Sequence, residues 1–326
     1  MSTLTPNQRS TAVVGSLGEL LVEFVCTGQD GHHLLPSTYR GPFASGAPGI
    51  FIDQAARIGA STIFAGAVGD DAFGQVLRQR LTEAGVSDAL IRVVPGMPTG
   101  SAFVSYNGDG SRDFVFNIAH SAAAHFPSGQ EAVDELLQFG VTVFHISGST
   151  LGDPLMRAAA IDICRALQAR GVAISFDPNV RKELLRDPGY LGVVHELLAL
   201  SSYVLPSEED IAVLFPGEAF EAMLARMLAG AADYVVLKRG DKGCIGAGPD
   251  GAVFSLPAHA VEVRDPTGAG DCFCATFVAL MASGQFDFPH ALARANAAGA
   301  LAVGAVGPME GNSDLGAIER FLAAAR

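Results

Sequence analysis

The stretch "VRDPTGAGDCFCATFVALMASG", Val263 to Gly284, decides how the chain is read. A charged, proline-interrupted lead runs into Gly268-Ala269-Gly270. One carboxylate follows at Asp271, and small and apolar residues then continue from Cys272 to Ala282 as a buried-looking helix. Glycines let backbone amides approach a ligand closely. The first turn of a helix presents unpaired N–H groups at the positive end of its dipole, which is an anion site. A permanent anion there would be repelled by Asp271. A transient one would not: a phosphoryl group passing to a hydroxyl needs donors for its developing charge and a base for the hydroxyl proton. The plainer alternative, a first-turn aspartate that stabilises a helix start, accounts for the same residues.

Outward from this stretch, short β-branched runs recur: "TAVVGSL" from Thr11, "STIFAGAV" from Ser61, "VTVFHIS" from Val141, "VAISFD" from Val172 and "DYVVLK" from Asp233. Helical patterns lie between most of them, for example "AFGQVLRQRLTEAG" from Ala72 and "PLMRAAAIDICRALQARG" from Pro154. Near-continuous apolar strands alternating with helices predict an α/β chain with a mostly parallel sheet covered on both faces. Two regions break the rhythm. Residues 30–44 are polar and turn-rich, and residues 99–118 read as a hairpin about "NGDGS". The expected architecture is one domain over residues 1–326 with a small strand-built appendage from 30–44 and 99–118. In such sheets ligands collect at the carboxyl ends of the strands.

Composition narrows the function. Hydrophobic residues make up 49% and charged residues 17% of the 326, which marks a globular chain. A net charge of -13 argues against a nucleic-acid partner. No run reaches the ~20 uncharged apolar residues of a membrane span. The first residues lack the basic start and unbroken apolar core of a signal peptide. Five scattered cysteines give no disulfide framework. A cytoplasmic protein without a membrane partner is the expectation. Cys272 and Cys274 form a C-x-C without two further ligands, so they read as small residues on a packed helix. "GAGPDG" from Gly246 fits a dinucleotide fingerprint in form, but Pro249 and "AVFSL" point to a hairpin where that site needs a helix. His145, on an apolar strand, reads as a core residue.

Polar groups follow several strands. "SFDPNVR" places Asp177, Asn179 and Arg181 after one, "LPSEED" places Ser207, Glu208, Glu209 and Asp210 after another, and "LKRGDKG" places Lys238, Gly240 and Gly243 after a third. "VGSLGELLVE" carries Glu19 and Glu23. Each alone is a solvated loop or a cap, and Ser207 with Asp210 fits a capping box. Four such loops on one edge of one sheet suggest a site. Glu209 or Asp210 could stand near a phosphate-bound Mg²⁺.

In this order the motifs resemble the PfkB, or ribokinase-like, carbohydrate kinases over essentially the whole chain. "DPTGAGD", Asp265 to Asp271, looks like the family's C-terminal signature. "SGAPGIFIDQAARIGASTIFAGAVGDDAFG", Ser45 to Gly74, looks like the N-terminal one, with Gly66, Gly69, Asp70, Asp71 and Gly74 at its end. "FDPNVR", "PSEED" and "LKRGDKG" are similar to three further family motifs.

The resemblance implies a three-layer αβα fold with a small β-sheet lid and transfer of the ATP γ-phosphate to a sugar hydroxyl. By position it makes Asp271 the base and the amides of Gly268, Ala269 and Gly270 the anion hole. Glu23, Gly46, Ala47, Ile50, Arg112, Asn179 and Arg181 fall to the sugar. Ser207, Lys238, Gly240, Gly243 and Asn296 fall to the nucleotide, Glu209 and Asp210 to an indirectly held Mg²⁺, and Asp265 and Thr267 to a monovalent cation such as K⁺. A homodimer through the lid is also implied.

The chain departs from the common pattern at Ile50, where many members have Asn, at Glu23, where they have Asp, and at Ser207 and Asp210, which replace the Asn and Glu of N-x-x-E. "GELLVEF" with "GPFASGAPGIFIDQ" looks most like the ketohexose kinases, of the tagatose or fructose type. A 2-keto-3-deoxygluconate kinase is the alternative, with Arg112 or Arg181 for the carboxylate. A sugar sensor without turnover and a nucleoside kinase stand behind it.

Overall fold

The computed structural model describes residues 12–28, 33–106 and 112–325. Its elements are β1 (Val13–Leu17), β2 (Leu21–Cys26), β3 (Tyr39–Ser45), α1 (Ala47–Arg57), β4 (Ser61–Gly69), α2 (Ala72–Ala84), β5 (Val86–Ser87), β6 (Ile91–Val94), β7 (Gly100–Tyr106), β8 (Arg112–Asn117), α3 (Gly129–Phe139) and β9 (Val143–Ser147). There follow α4 (Pro154–Gln168), β10 (Ala173–Asp177), α5 (Pro188–Leu200), β11 (Tyr203–Val204), α6 (Glu208–Leu214), α7 (Phe220–Leu228), β12 (Tyr234–Lys238), β13 (Cys244–Ala247), β14 (Val253–Leu256), α8 (Ala269–Ala282), α9 (Phe288–Ala302) and α10 (Leu315–Ala324).

The large sheet runs β14-β13-β12-β11-β10-β9-β1-β4-β5, with β6 paired to β4. From β12 to β5 every neighbour is parallel; β13 and β14 add an antiparallel hairpin, as "GAGPDG" implied. The strands from β12 to β4 are buried on both faces, so their side chains alternate between two cores. On β4, Phe64 and Val68 pack in the core that holds α1, α2, α8 and α9, whereas Ile63 and Ala65 pack in the core that holds α3, α4, α5 and α7. This is the three-layer arrangement expected. No helix among the described residues is long and apolar enough to cross a membrane.

A second sheet has the order β3-β2-β7-β8. It begins earlier than the expected appendage, because β2 is one of its two inner strands. The run "LLVEFV" leaves the large sheet at Gly18 and pairs antiparallel with β3 and parallel with β7. Glu23 therefore sits on a strand of this sheet, not in a loop after β1. Residues 30–32 and the turn 107–111 of the expected segments lie outside the described residues.

Helix α1 is seated by a stack: Phe51 lies flat on His145 of β9, with ring centroids 3.6 Å apart and planes 3° apart. His145 is buried and shares a 2.9 Å hydrogen bond with Ser175 Oγ. Burial holds its pKa well below the ordinary value, and Lys238 adds to the effect. The histidine is a neutral core group, as its apolar strand suggested. Phe51→Ala should lose about 3–5 kcal/mol of stability, from lost transfer free energy plus the cavity left behind. Chemical denaturation checks this, and a loss below about 1 kcal/mol would contradict the packing role.

Candidate active site

Parallel strands end on one edge, and the loops after β1, β9, β10, β11 and β12 line a single cleft of about 1160 Å³. Its floor is the start of α8. Gly268 is the helix N-cap at φ 84, and a Cβ there would stand 2.4 Å from the Pro308 carbonyl oxygen, so the turn requires glycine. No side chain caps this helix. The first-turn amides of Ala269, Gly270 and Asp271 have no intrahelical acceptor and remain available to an anion. Gly268, Gly270 and Asp271 line the cleft.

Asp271 makes no side-chain hydrogen bond or ion pair among the described residues. Its removal from water pushes its carboxyl up to about 8; Asp177 adds to this, while Lys238 and Arg181 oppose it. A carboxyl of that affinity is poised to take a proton near neutral pH. Lys238, at the end of β12, is bonded through Nζ to Asp177 Oδ2 at the end of β10. Burial pulls the lysine pKa down, but Asp177 with its neighbours raises it more, so the ammonium stays charged.

Asn179 sits at φ 37, in the left-handed region, held by its N–H to Asp177 Oδ1 at 3.2 Å and by Nδ2 to Ser147 Oγ at 3.2 Å. Arg181, half-buried on the cleft wall, has no side-chain hydrogen bond or ion pair among the described residues.

Asp210, expected near an indirectly held magnesium, has a structural task as well. Ser207 and Asp210 form a complete capping box at α6. Asp210 Oδ2 accepts from Ser207 N at 2.7 Å and Ser207 Oγ at 2.8 Å, and Oδ1 accepts from Val180 N at 2.7 Å. Its oxygens thus fasten the Asp177–Arg181 loop to α6. Glu209 is exposed on the cleft wall. Glu208 bridges Arg239 at 3.1 Å and Lys242 at 2.8 Å. Gly240 lines the cleft, whereas Gly243 packs behind it, where a Cβ would meet the Leu256 carbonyl at 2.0 Å. Asn296 lies outside the cleft lining and donates to the Pro257 carbonyl at 2.8 Å.

The other half of the cleft is walled by the small sheet. Leu21, Glu23, Ser45, Gly46, Ala47 and Ile50 line it, together with Phe114 and Phe116 of β8. Gly46 is required at φ 105, because a Cβ would fall 2.3 Å from the Glu19 carbonyl. Glu23 Oε2 accepts from Ser45 Oγ at 3.0 Å, while its buried Oε1 has no partner. Burial pushes this carboxyl up to about 7; Asp265 adds to that and Arg112 opposes it.

The small sheet is tied to the α8 entry. Tyr106 donates to Asp265 Oδ1 at 2.5 Å, and Arg112 donates to Thr267 Oγ1 at 3.1 Å. Asp265, buried and without an ion-pair partner among the described residues, also accepts from Thr267 N at 2.9 Å and Gly307 N at 3.0 Å. Among the described residues no cluster of three His, Cys, Asp or Glu could cage a metal. Sequence reasoning missed Tyr106, and also the clamp in which Ser149 and Thr150 donate to buried Glu19 at 2.7 and 2.9 Å. The polar run "SGST" after β9 was the available signal.

Comparison with known proteins agrees with this geometry. The model of the "pfkB family carbohydrate kinase" matches residues 46–315. A fructokinase of Klebsiella pneumoniae is 31% identical over 271 residues, covering 81% of this chain and 87% of its own length. An E. coli protein named as a candidate Ribokinase II, crystallised with ATP and Mg²⁺, superposes with a TM-score of 0.88 at 39% identity, covering 96% of this chain and 99% of that one. A Vibrio cholerae fructokinase double mutant with fructose, ADP and potassium bound gives 0.80 at 26% identity, covering 97% and 100%. A family match across residues 46–315, on a fold whose strand edge opens over a Gly-Ala-Gly-Asp helix start, means that the chain belongs to the PfkB family of carbohydrate kinases, the sugar phosphotransferases.

Proposed function

We propose that this kinase uses ATP to phosphorylate a ketohexose, fructose or its C4 epimer tagatose. One observation carries the reading: on each of the two opposed walls of a single cleft, the protein leaves a carboxyl oxygen unpartnered. Glu23 lines it from the small sheet, with its buried Oε1 unpartnered, and Asp271 lines it at the α8 entry. A buried unpaired acceptor beside apolar Leu21, Ile50 and Phe116 suits a hydroxyl-bearing ring. The fructokinase names of several relatives support the ketose.

In the proposed reaction the sugar hydroxyl gives its proton to Asp271 as its oxygen bonds to the γ-phosphorus. The bond from that phosphorus to ADP breaks, and ADP takes the electron pair. The amides of Gly268, Ala269 and Gly270 receive the charge on the phosphoryl oxygens. The donor set fits a magnesium ion carried mainly by nucleotide phosphates and water, with Glu209 as the free carboxylate nearby. Such an ion would neutralise phosphate charge. Asp265, a buried carboxylate without an ion-pair partner among the described residues, fits a monovalent ion such as potassium.

An ATP-consumption screen over ketohexoses, aldohexoses, pentoses, nucleosides and keto-deoxy acids tests the reading. Turnover should concentrate on fructose or tagatose, and its absence on both would overturn the ketohexose assignment. Turnover on 2-keto-3-deoxygluconate alone would support the second reading, which the unpaired guanidinium of Arg181 favours.

Asp271→Asn should cut kcat by ~10² or more while leaving sugar binding nearly intact. A base acts deprotonated, so kcat/KM of the unaltered protein should fall as pH drops below the Asp271 value of about 8. That limb should vanish in the variant; near-normal turnover there would refute the assignment.

We also propose a homodimer through the outer face of the small sheet, where Tyr39 and Val115 are exposed beside Phe103. Sedimentation should give twice the 33.7 kDa chain mass, and a monomer at high concentration would exclude it.

A further inference from the structure

The pair of Lys238 and Asp177 is more than a strut between two strand ends. Their strands, β12 and β10, are separated in the sheet by β11, and the side chains meet above it, under the first turn of α8. Lys238 Nζ is also 3.4 Å from Cys274 Sγ on that helix. A Cβ built on Gly270 would stand 3.7 Å from Nζ, so the ammonium lies beside Gly270 in the first turn of α8. It lines the cleft, as does Asp177. The amides are neutral donors, whereas a phosphoryl group in flight carries full negative charge. Asp177 and Asp210 on the protein side hold the ammonium charged in a low-dielectric position, where a fixed charge acts strongly.

We propose that Lys238 is a catalytic residue whose ammonium contacts the phosphoryl group as it crosses from ATP to the sugar, and that Asp177 is the residue that positions it. The inference rests on the kinase reading above and adds one charge to it. Lys238 keeps its three protons throughout. The hydroxyl proton goes to Asp271, the sugar oxygen gains the phosphorus, and ADP leaves with the electron pair.

The groups facing Asp271 define a second readout. Asp177 and Lys238 come from β10 and β12, Arg181 from the loop after β10, and Glu19 from the loop after β1. Removing the Asp177 charge should therefore move the acid limb of kcat/KM to lower pH.

The test is a cycle of Lys238→Met, Asp177→Asn and the double variant, with Lys238→Arg as rescue. It is assayed on whichever sugar the unaltered protein turns over. Lys238→Met leaves a buried carboxylate alone and could unfold; the double variant is neutral at both sites and keeps the question answerable. Lys238→Met and the double variant should each lose ~10²–10³ in kcat at unchanged sugar KM. Asp177→Asn should lose less than ~10-fold and shift the acid limb downward, and Lys238→Arg should recover part of the rate. A double variant with unaltered kcat would show the pair to be structural only and overturn the proposal. An unmoved limb in Asp177→Asn would remove its positioning role. Absence of turnover by the unaltered protein on every sugar would overturn the kinase reading together with this one.

Discussion

Everything at the site depends on a carboxyl placed where an anion must also fit. Asp271 stands in the first turn of α8, beside amides that the helix itself cannot satisfy. The carboxyl is half-buried on the cleft floor, and its partial removal from water pushes its pKa up to about 8 in the free protein. Protonated, it does not repel an incoming phosphate. In the proposed reaction, as positive charge gathers around the phosphates the carboxylate form becomes accessible, and the same group accepts a proton from the hydroxyl. One environment therefore reconciles two requirements that look opposed in sequence.

The rest of the fold holds that environment in place. Parallel strands deliver Ser147, Asp177, Ser207 and Lys238 to one edge, and register locks them: Asp177 lies opposite Ser147, and Ser207 bridges to Lys238. The capping box at α6 fixes the Asp177–Arg181 loop through Asp210 Oδ1. The small sheet closes the opposite wall and is joined to the α8 entry by Tyr106 and Arg112. In the proposed reading, sugar recognition and phosphoryl transfer share one turn, Asp265 to Gly270, with polar contacts from the small sheet and from Gly307.

Much of this was legible in sequence where the signal is local. Doubly buried strands show as apolar runs, glycine turns show as glycines, and a capping box is a four-residue pattern, so the layers, α8 and the Ser207–Asp210 cap could all be read. The allocation of β2 could not, because its partners are β3 and β7 and the choice of sheet is made by pairing at a distance. The clamp on Glu19 joins residues 130 positions apart, and the tie from Tyr106 to Asp265 spans 159. At two motif positions the side chain is engaged elsewhere. Asp210 spends its carboxylate on backbone and hydroxyl donors, and Asn296 is turned to a backbone carbonyl outside the cleft. A motif marks where a side chain sits in the fold; its hydrogen-bond partners decide what it is free to do.

The most direct measurement is the titration of the Asp271 carboxyl itself in ligand-free protein. Isotope-edited infrared spectroscopy can follow it, with Asp271→Asn identifying the band. A midpoint near 8 is expected from the desolvated helix entry. An ordinary aspartate midpoint, about 4, would mean that the carboxyl is solvated and ionised throughout, and the reconciliation of base and anion hole described above would fail.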